Sequence, residues 1–103
     1  MRPNMGATIN DVTGLLSVRM RDLVAVRSAF VTVDPTDDRQ MRAWALLNDG
    51  DEETETALIG IEQEAYGKFG NDLHFCIRTI YLRGRDPASL VPPDAHIVRL
   101  RAA

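Results

Sequence analysis

The chain has 103 residues, 45% apolar and 26% charged, with a formal net charge of −3 and a single cysteine. That length supports one domain with one core, the lone cysteine excludes an internal disulfide, and the acidic balance excludes broad electrostatic attraction to nucleic acid or an anionic membrane. No apolar run approaches the roughly 20 residues a bilayer-crossing helix needs, and the opening MRPNMGATIN lacks the apolar centre of a secretory signal, so a cytoplasmic protein is expected.

No repeat, low-complexity tract or linker divides the chain, which reads as a single α+β domain over 1–103. Residues 1–7 are expected to be loosely ordered. The first helix is predicted in TINDVTGLLSVRMRDL: Thr8 is a candidate N-cap with Asp11 three residues on, and Ile9, Val12, Leu16, Met20 and Leu23 recur at helical spacing. Val24 to Asp34 is rich in β-branched residues and predicts a strand, and Asp34 and Pro35 suit the first positions of a type I turn. The returning strand of a loose hairpin is placed at Met41–Leu47, and it holds Trp44, the only tryptophan.

Asp49 or Asp51 can cap a second helix. Its first turn is acidic, Leu58, Ile61, Ala65 and Phe69 form one stripe, and Gly70 suits a left-handed end. LHFCIRTIYL then alternates as a strand, residues 83–95 form a long Pro- and Gly-containing loop, and AHIVRL predicts a short final strand. The order is α-β-β-α-β(-β). The second helix has the length of a right-handed crossover that sets the second and third strands parallel. A two-layer sandwich with both helices on one face follows, compatible with a ferredoxin-like variant whose first strand is missing or replaced by the C-terminal one.

Each strand of such a sandwich turns one residue set towards the helices. In the third strand that set is Leu73, Phe75, Ile77 and Tyr81; in the second it is Met41, Ala43, Ala45 and Leu47. In the first strand both sets are apolar. Arg42, Trp44, Leu46, Cys76, Arg78 and Ile80 are left on the far face, with His74 at the rim. A large apolar patch there, rimmed by arginines, predicts an interface and a homodimer, in which burying the indole contributes on the order of 2–3 kcal/mol. Two other fates for Trp44 are cover by the first helix crossing to the far face, and partial cover in an edge strand.

The remaining constellations carry less chemistry. Asp34, Asp37 and Asp38 after a strand resemble the carboxylate sets of magnesium sites, against the plainer reading of a turn. Asp72, His74 and Cys76 alternate along one strand face and could ligate a metal with His96, or His96 could act as a base towards Cys76; a buried, inert cysteine is the alternative. GKFG, residues 67–70, has the G-x-x-G form that approaches phosphates in KH domains, but a helix cap explains it equally. Arg83, Arg85, Arg99 and Arg101 form a basic group near the C-terminus, with too few aromatic residues for a nucleic-acid surface.

No cofactor is implied and no catalytic set converges. The function expected is a small self-associating interaction or adaptor module, with a possible protein partner. The alternatives are a regulatory domain binding a small anionic metabolite between subunits through Arg78, Arg83 and Arg85, and a metal-dependent enzyme using Asp34, Asp37 and Asp38.

Overall fold

A computed structural model describes residues 8–70 and 73–100; the expected loose start over 1–7 lies outside them. Helix α1, Ile9–Met20, begins at a complete capping box. The Asp11 N–H donates to the Thr8 hydroxyl at 3.3 Å, and the Thr8 N–H donates to the Asp11 carboxylate at 2.9 Å, so two amides that the helix leaves unpaired are satisfied reciprocally. Helix α2, Glu52–Phe69, starts after Asp51 and stops at Gly70, whose φ of +75° is easily reached only without a Cβ. The two helices are tied by Arg19, which grips Glu64 with Nε at 2.9 Å and Nη2 at 2.8 Å.

Among the described residues four strands form one sheet in the order β3-β2-β1-β4: β1 is Val26–Asp34, β2 Asp37–Leu47, β3 His74–Tyr81 and β4 His96–Ile97. β2 and β3 are parallel direct neighbours joined by α2, while β4 pairs with the outer edge of β1. The final strand therefore does not replace the first strand of a ferredoxin-like split βαβ unit between β2 and β3, and the order fits the variant in which that strand is missing. The hairpin is tighter than its sequence suggests. Asp34 Oδ1 accepts the Thr36 N–H at 2.8 Å and its hydroxyl at 2.7 Å, which folds the chain after two residues, so β2 begins at Asp37 rather than Met41. The register jumps from Asp34↔Asp37 to Val33↔Met41, leaving residues 38–40 as a bulge.

Both helices pack on one face, giving the two-layer α+β sandwich. Val12, Leu15, Leu16 and Met20 of α1 and Leu58, Ile61 and Ala65 of α2 meet Ala29, Val31, Met41, Ala43, Ala45, Leu47 and Phe75. The alanines of β2 leave room for this close approach. β1, ambiguous in sequence, is settled by a one-residue bulge: Val26 pairs with Leu47 but Ser28 with Leu46, so Arg27 is extra. Val26 and Ala29 thereby both face the helices, and Phe30 is turned away. Val98 and Leu100 extend the core beyond β4.

Candidate functional site

The helix-free face is organised in rows set by strand register. Arg78 of β3 lies beside Trp44 of β2, Trp44 beside Phe30 of β1, and Phe30 beside Ile97 of β4. The next row towards the hairpin is Cys76, Arg42 and Thr32; the next away from it is Ile80, Leu46 and Ser28. Trp44 stacks on Phe30 with centroids 6.2 Å apart and rings at 22°, and its indole N–H donates to the Thr32 hydroxyl at 3.2 Å. The Arg42 guanidinium lies 5.8 Å from the indole centroid. An arginine shares a face with the largest apolar side chain because a cation is attracted to the negative face of the ring and its stem shields part of that ring from water.

Neither alternative fate of Trp44 holds: α1 packs on the opposite face, and β2 is an interior strand. The far face is nevertheless not fully open, which corrects the expected patch. The chain leaves β3 through a tight turn at Arg83, φ +52°, and Gly84, φ +88°, closed by the Arg85 N–H donating to the Leu82 carbonyl at 3.0 Å. Two positive φ values in succession are the signature of a type I′ turn. Asn48 fixes it from β2's end, accepting the Arg83 N–H on its carbonyl and the Gly84 N–H on Oδ1, both at 2.9 Å. The segment then runs through a 3₁₀ turn, Pro87–Leu90, and folds back as a strap. Leu90, Val91 and Ala95 of the strap pack against Phe30, Leu46 and Leu82. Leu46, expected at an interface, is 0% exposed beneath this cover.

What remains accessible is the strip outside the strap. Arg42 and Arg78 are exposed, and Trp44, Cys76 and Ile80 are half-buried. Ile97, not singled out from the sequence, is 57% exposed in the same row as Trp44. The alternation of AHIVRL held the signal: Val98 and Leu100 are core residues, which turns Ile97 outward.

The other candidate groups do not converge. Arg85 is committed to the backbone, with Nε donating to the Leu82 carbonyl at 2.9 Å and Nη2 to the Tyr81 carbonyl at 2.7 Å. Arg83 is exposed on the turn and Arg78 is exposed mid-strand. Arg101 and Asp72 lie outside the described residues. Asp34 and Asp37 are held below the usual carboxylate range, the first by the Thr36 hydroxyl and amide, the second chiefly by the Arg39 N–H, while Asp38 is exposed. These bonds stabilise the turn. Among the described residues no three His, Cys, Asp or Glu side chains gather as a metal site.

His96 in β4 and Cys76 in β3 stand on opposite edge strands, three interstrand steps or about 14 Å apart, so no base reaches the thiol from there. At GKFG, the Gly70 N–H donates to the Tyr66 carbonyl, an end cap for α2.

Two concavities flank β3. One, of about 360 Å³, lies at the hairpin end among Asp34, Gln40, Arg42, Tyr66, His74 and Cys76. The other, of about 240 Å³, separates α2 from the β3 edge and is lined by Glu55, Leu58, Ile59, Glu62, Ile77, Arg78 and Thr79. No helix among the described residues is long and apolar enough to cross a membrane. No family model, curated protein or solved structure matches the chain, so its function has to be argued from these surfaces.

Proposed function

We propose that this protein is a self-associating interaction module, and that two copies meet through the strip Arg42, Trp44, Arg78 and Ile97 on the helix-free face. The observation that carries this reading is the row Arg78–Trp44–Phe30–Ile97, in which a half-covered indole and an exposed isoleucine flank the buried Phe30, with arginines at the rim. Aromatic anchors with peripheral arginine are what interface centres favour. The face is also self-complementary in charge: cations Arg42 and Arg78 stand on the open strip, and the exposed acids Asp86 and Asp94 stand on the strap. A two-fold arrangement sets the arginines of one copy over the acids of the other. The metabolite and metal-enzyme readings have less behind them, because Arg85, Asp34 and Asp37 are engaged in backbone bonds.

Light scattering on the eluting protein tests the proposal. Wild-type chain is expected to be a dimer at tens of micromolar. Ile97→Glu, which places a carboxylate on an exposed edge position without touching the core, is expected to run as a folded monomer. A wild-type monomer at that concentration would remove the proposal.

A further inference from the structure

The outer edge of β3, a strand of eight residues, has no neighbouring strand among the described residues. Leu82, directly after it, directs its N–H to Leu47 at the end of β2, whereas the Ile77 N–H points away from the sheet and donates to Glu62 Oε1 at 2.6 Å. Backbone groups alternate along a strand, so Phe75, Thr79 and Tyr81 turn theirs outward with Ile77. A long edge with outward amides is a template for a further strand. The wall above it is a stripe of α2 one or two turns apart: Glu55, Ile59, Glu62 and Tyr66. Ile59 is 59% and Tyr66 48% exposed.

We infer that the groove between α2 and the β3 edge takes an extended peptide whose helix-facing side chains, at every second position, alternate basic and apolar, adding to the sheet as a fifth strand. Helix-and-edge grooves recognise peptides in this way, main-chain bonds giving affinity and the wall giving selectivity. The charge of the wall selects the occupant. Between Asp51 and Glu64 the chain carries five further acids or amides but no basic residue, and among the described residues Arg78 is the one cation lining the groove, at its far-face lip. Side chains at alternate positions of an added strand lie about 7 Å apart. Glu55 and Glu62, seven positions apart on the helix, are separated by about 10.5 Å of rise. Two long basic side chains flanking one apolar residue span that interval and set the apolar residue on Ile59.

Glu62 occupies the place of the incoming strand: its carboxylate holds the Ile77 amide as a peptide carbonyl would. Docking exchanges that bond for a backbone one and frees Glu62 for the peptide's cation. A second copy of this chain fits poorly here, because pairing two β3 edges about a two-fold axis sets the acidic α2 helices against each other.

The test uses isotope-labelled full-length chain titrated with the blocked peptide Lys-Thr-Val-Thr-Lys, read by amide chemical shifts. Saturable shifts at Ile77 and Thr79 are expected, with affinity weakened at least about tenfold by Ile59→Lys, a surface change that removes the apolar contact and adds a repelling cation. Glu55→Lys is expected to act in the same direction. Ile97→Glu is expected to bind as wild type, which keeps this inference separable from self-association on the opposite face. The inference is overturned by absence of saturable shifts, by equal binding of Glu-Thr-Val-Thr-Glu, by shifts confined to the helix-free face, or by Thr79 protection in concentrated peptide-free chain, which would seat a second copy on the edge.

Discussion

Replacing Trp44 with alanine removes four contributions that can be sized separately. The stack on Phe30, at 6.2 Å and 22°, contributes about 1 kcal/mol beyond area. The partly buried N–H bond to Thr32 adds about 1 kcal/mol, the exposed cation contact with Arg42 about 0.5 kcal/mol, and the half-buried ring another 1 kcal/mol or so of apolar burial. Allowing for overlap between these, a single subunit should lose about 3 kcal/mol, and Trp44→Phe, which keeps a ring against Phe30, about half as much. Urea unfolding followed by far-ultraviolet circular dichroism measures this without relying on the fluorophore being removed. Concentration supplies the second reading. A hundredfold increase in protein should raise wild-type stability by about 2.8 kcal per mole of dimer, and should leave Trp44→Ala unmoved. Wild-type unfolding independent of concentration refutes the interface, and a loss below about 1 kcal/mol refutes the ledger of contacts.

Leu82→Ala should cost about 2–3 kcal/mol, the low end for such truncations, because the strap can sink onto Phe30 and Leu46; denaturant melts check this, and a cost under about 1 kcal/mol would mean that the strap does not seal the face. Glu62→Ala should speed hydrogen exchange at the Ile77 amide several-fold while changing global stability by less than about 1 kcal/mol, since water can reach the vacated edge. Acid should destabilise. Asp11, Asp34, Asp37 and Glu64 all have folded values depressed, by bonds from Thr8, Thr36, Arg39 and Arg19 respectively. Their contribution is therefore complete above the unfolded carboxylate values near 4 and lost as pH falls through the lower folded values. The urea midpoint should drop between about pH 5 and pH 3; a midpoint rising on acidification contradicts the assignment.

Local chemistry explains which elements could be read from sequence. Thr8 and Asp11 satisfy each other within four residues, and Asp51 and Gly70 bracket α2, so both helices were legible from neighbours alone. The parallel pairing of β2 with β3 followed from the length of α2, and the face of β3 from strict alternation of Leu73, Phe75 and Ile77. β1 was not legible, because both of its residue sets are apolar and the bulge at Arg27, which decides the parity, is a property of its pairing with β2. The strap was hidden for a related reason. Leu90, Val91 and Ala95 have no helical or strand period; they reach Phe30 and Leu46 only because Asn48, thirty-five residues before Arg83, anchors the turn that starts the segment back across the sheet.

The two proposed surfaces lie on either side of the sheet and share only Arg78, at the far-face lip of the groove. The helix-free face carries Arg42 and Arg78, and the wall above the β3 edge carries Glu55 and Glu62. In a chain of net charge −3 the groove has an acidic helix wall, while the helix-free face sets arginines beside the strap acids Asp86 and Asp94, so a basic peptide is favoured in the groove. Pairing through the Trp44 strip leaves both β3 edges at the periphery of the dimer. Two peptide grooves then stand on one rigid body, so a partner with two basic extended segments binds the second at an effective concentration in the millimolar range if its linker spans them. A weak single groove becomes a useful contact only in that setting. The two proposals are thereby linked by geometry: the Ile97→Glu variant, expected to be monomeric, should hold a single segment as wild type does and lose the gain that a tandem segment gives, a comparison that measures the linkage directly.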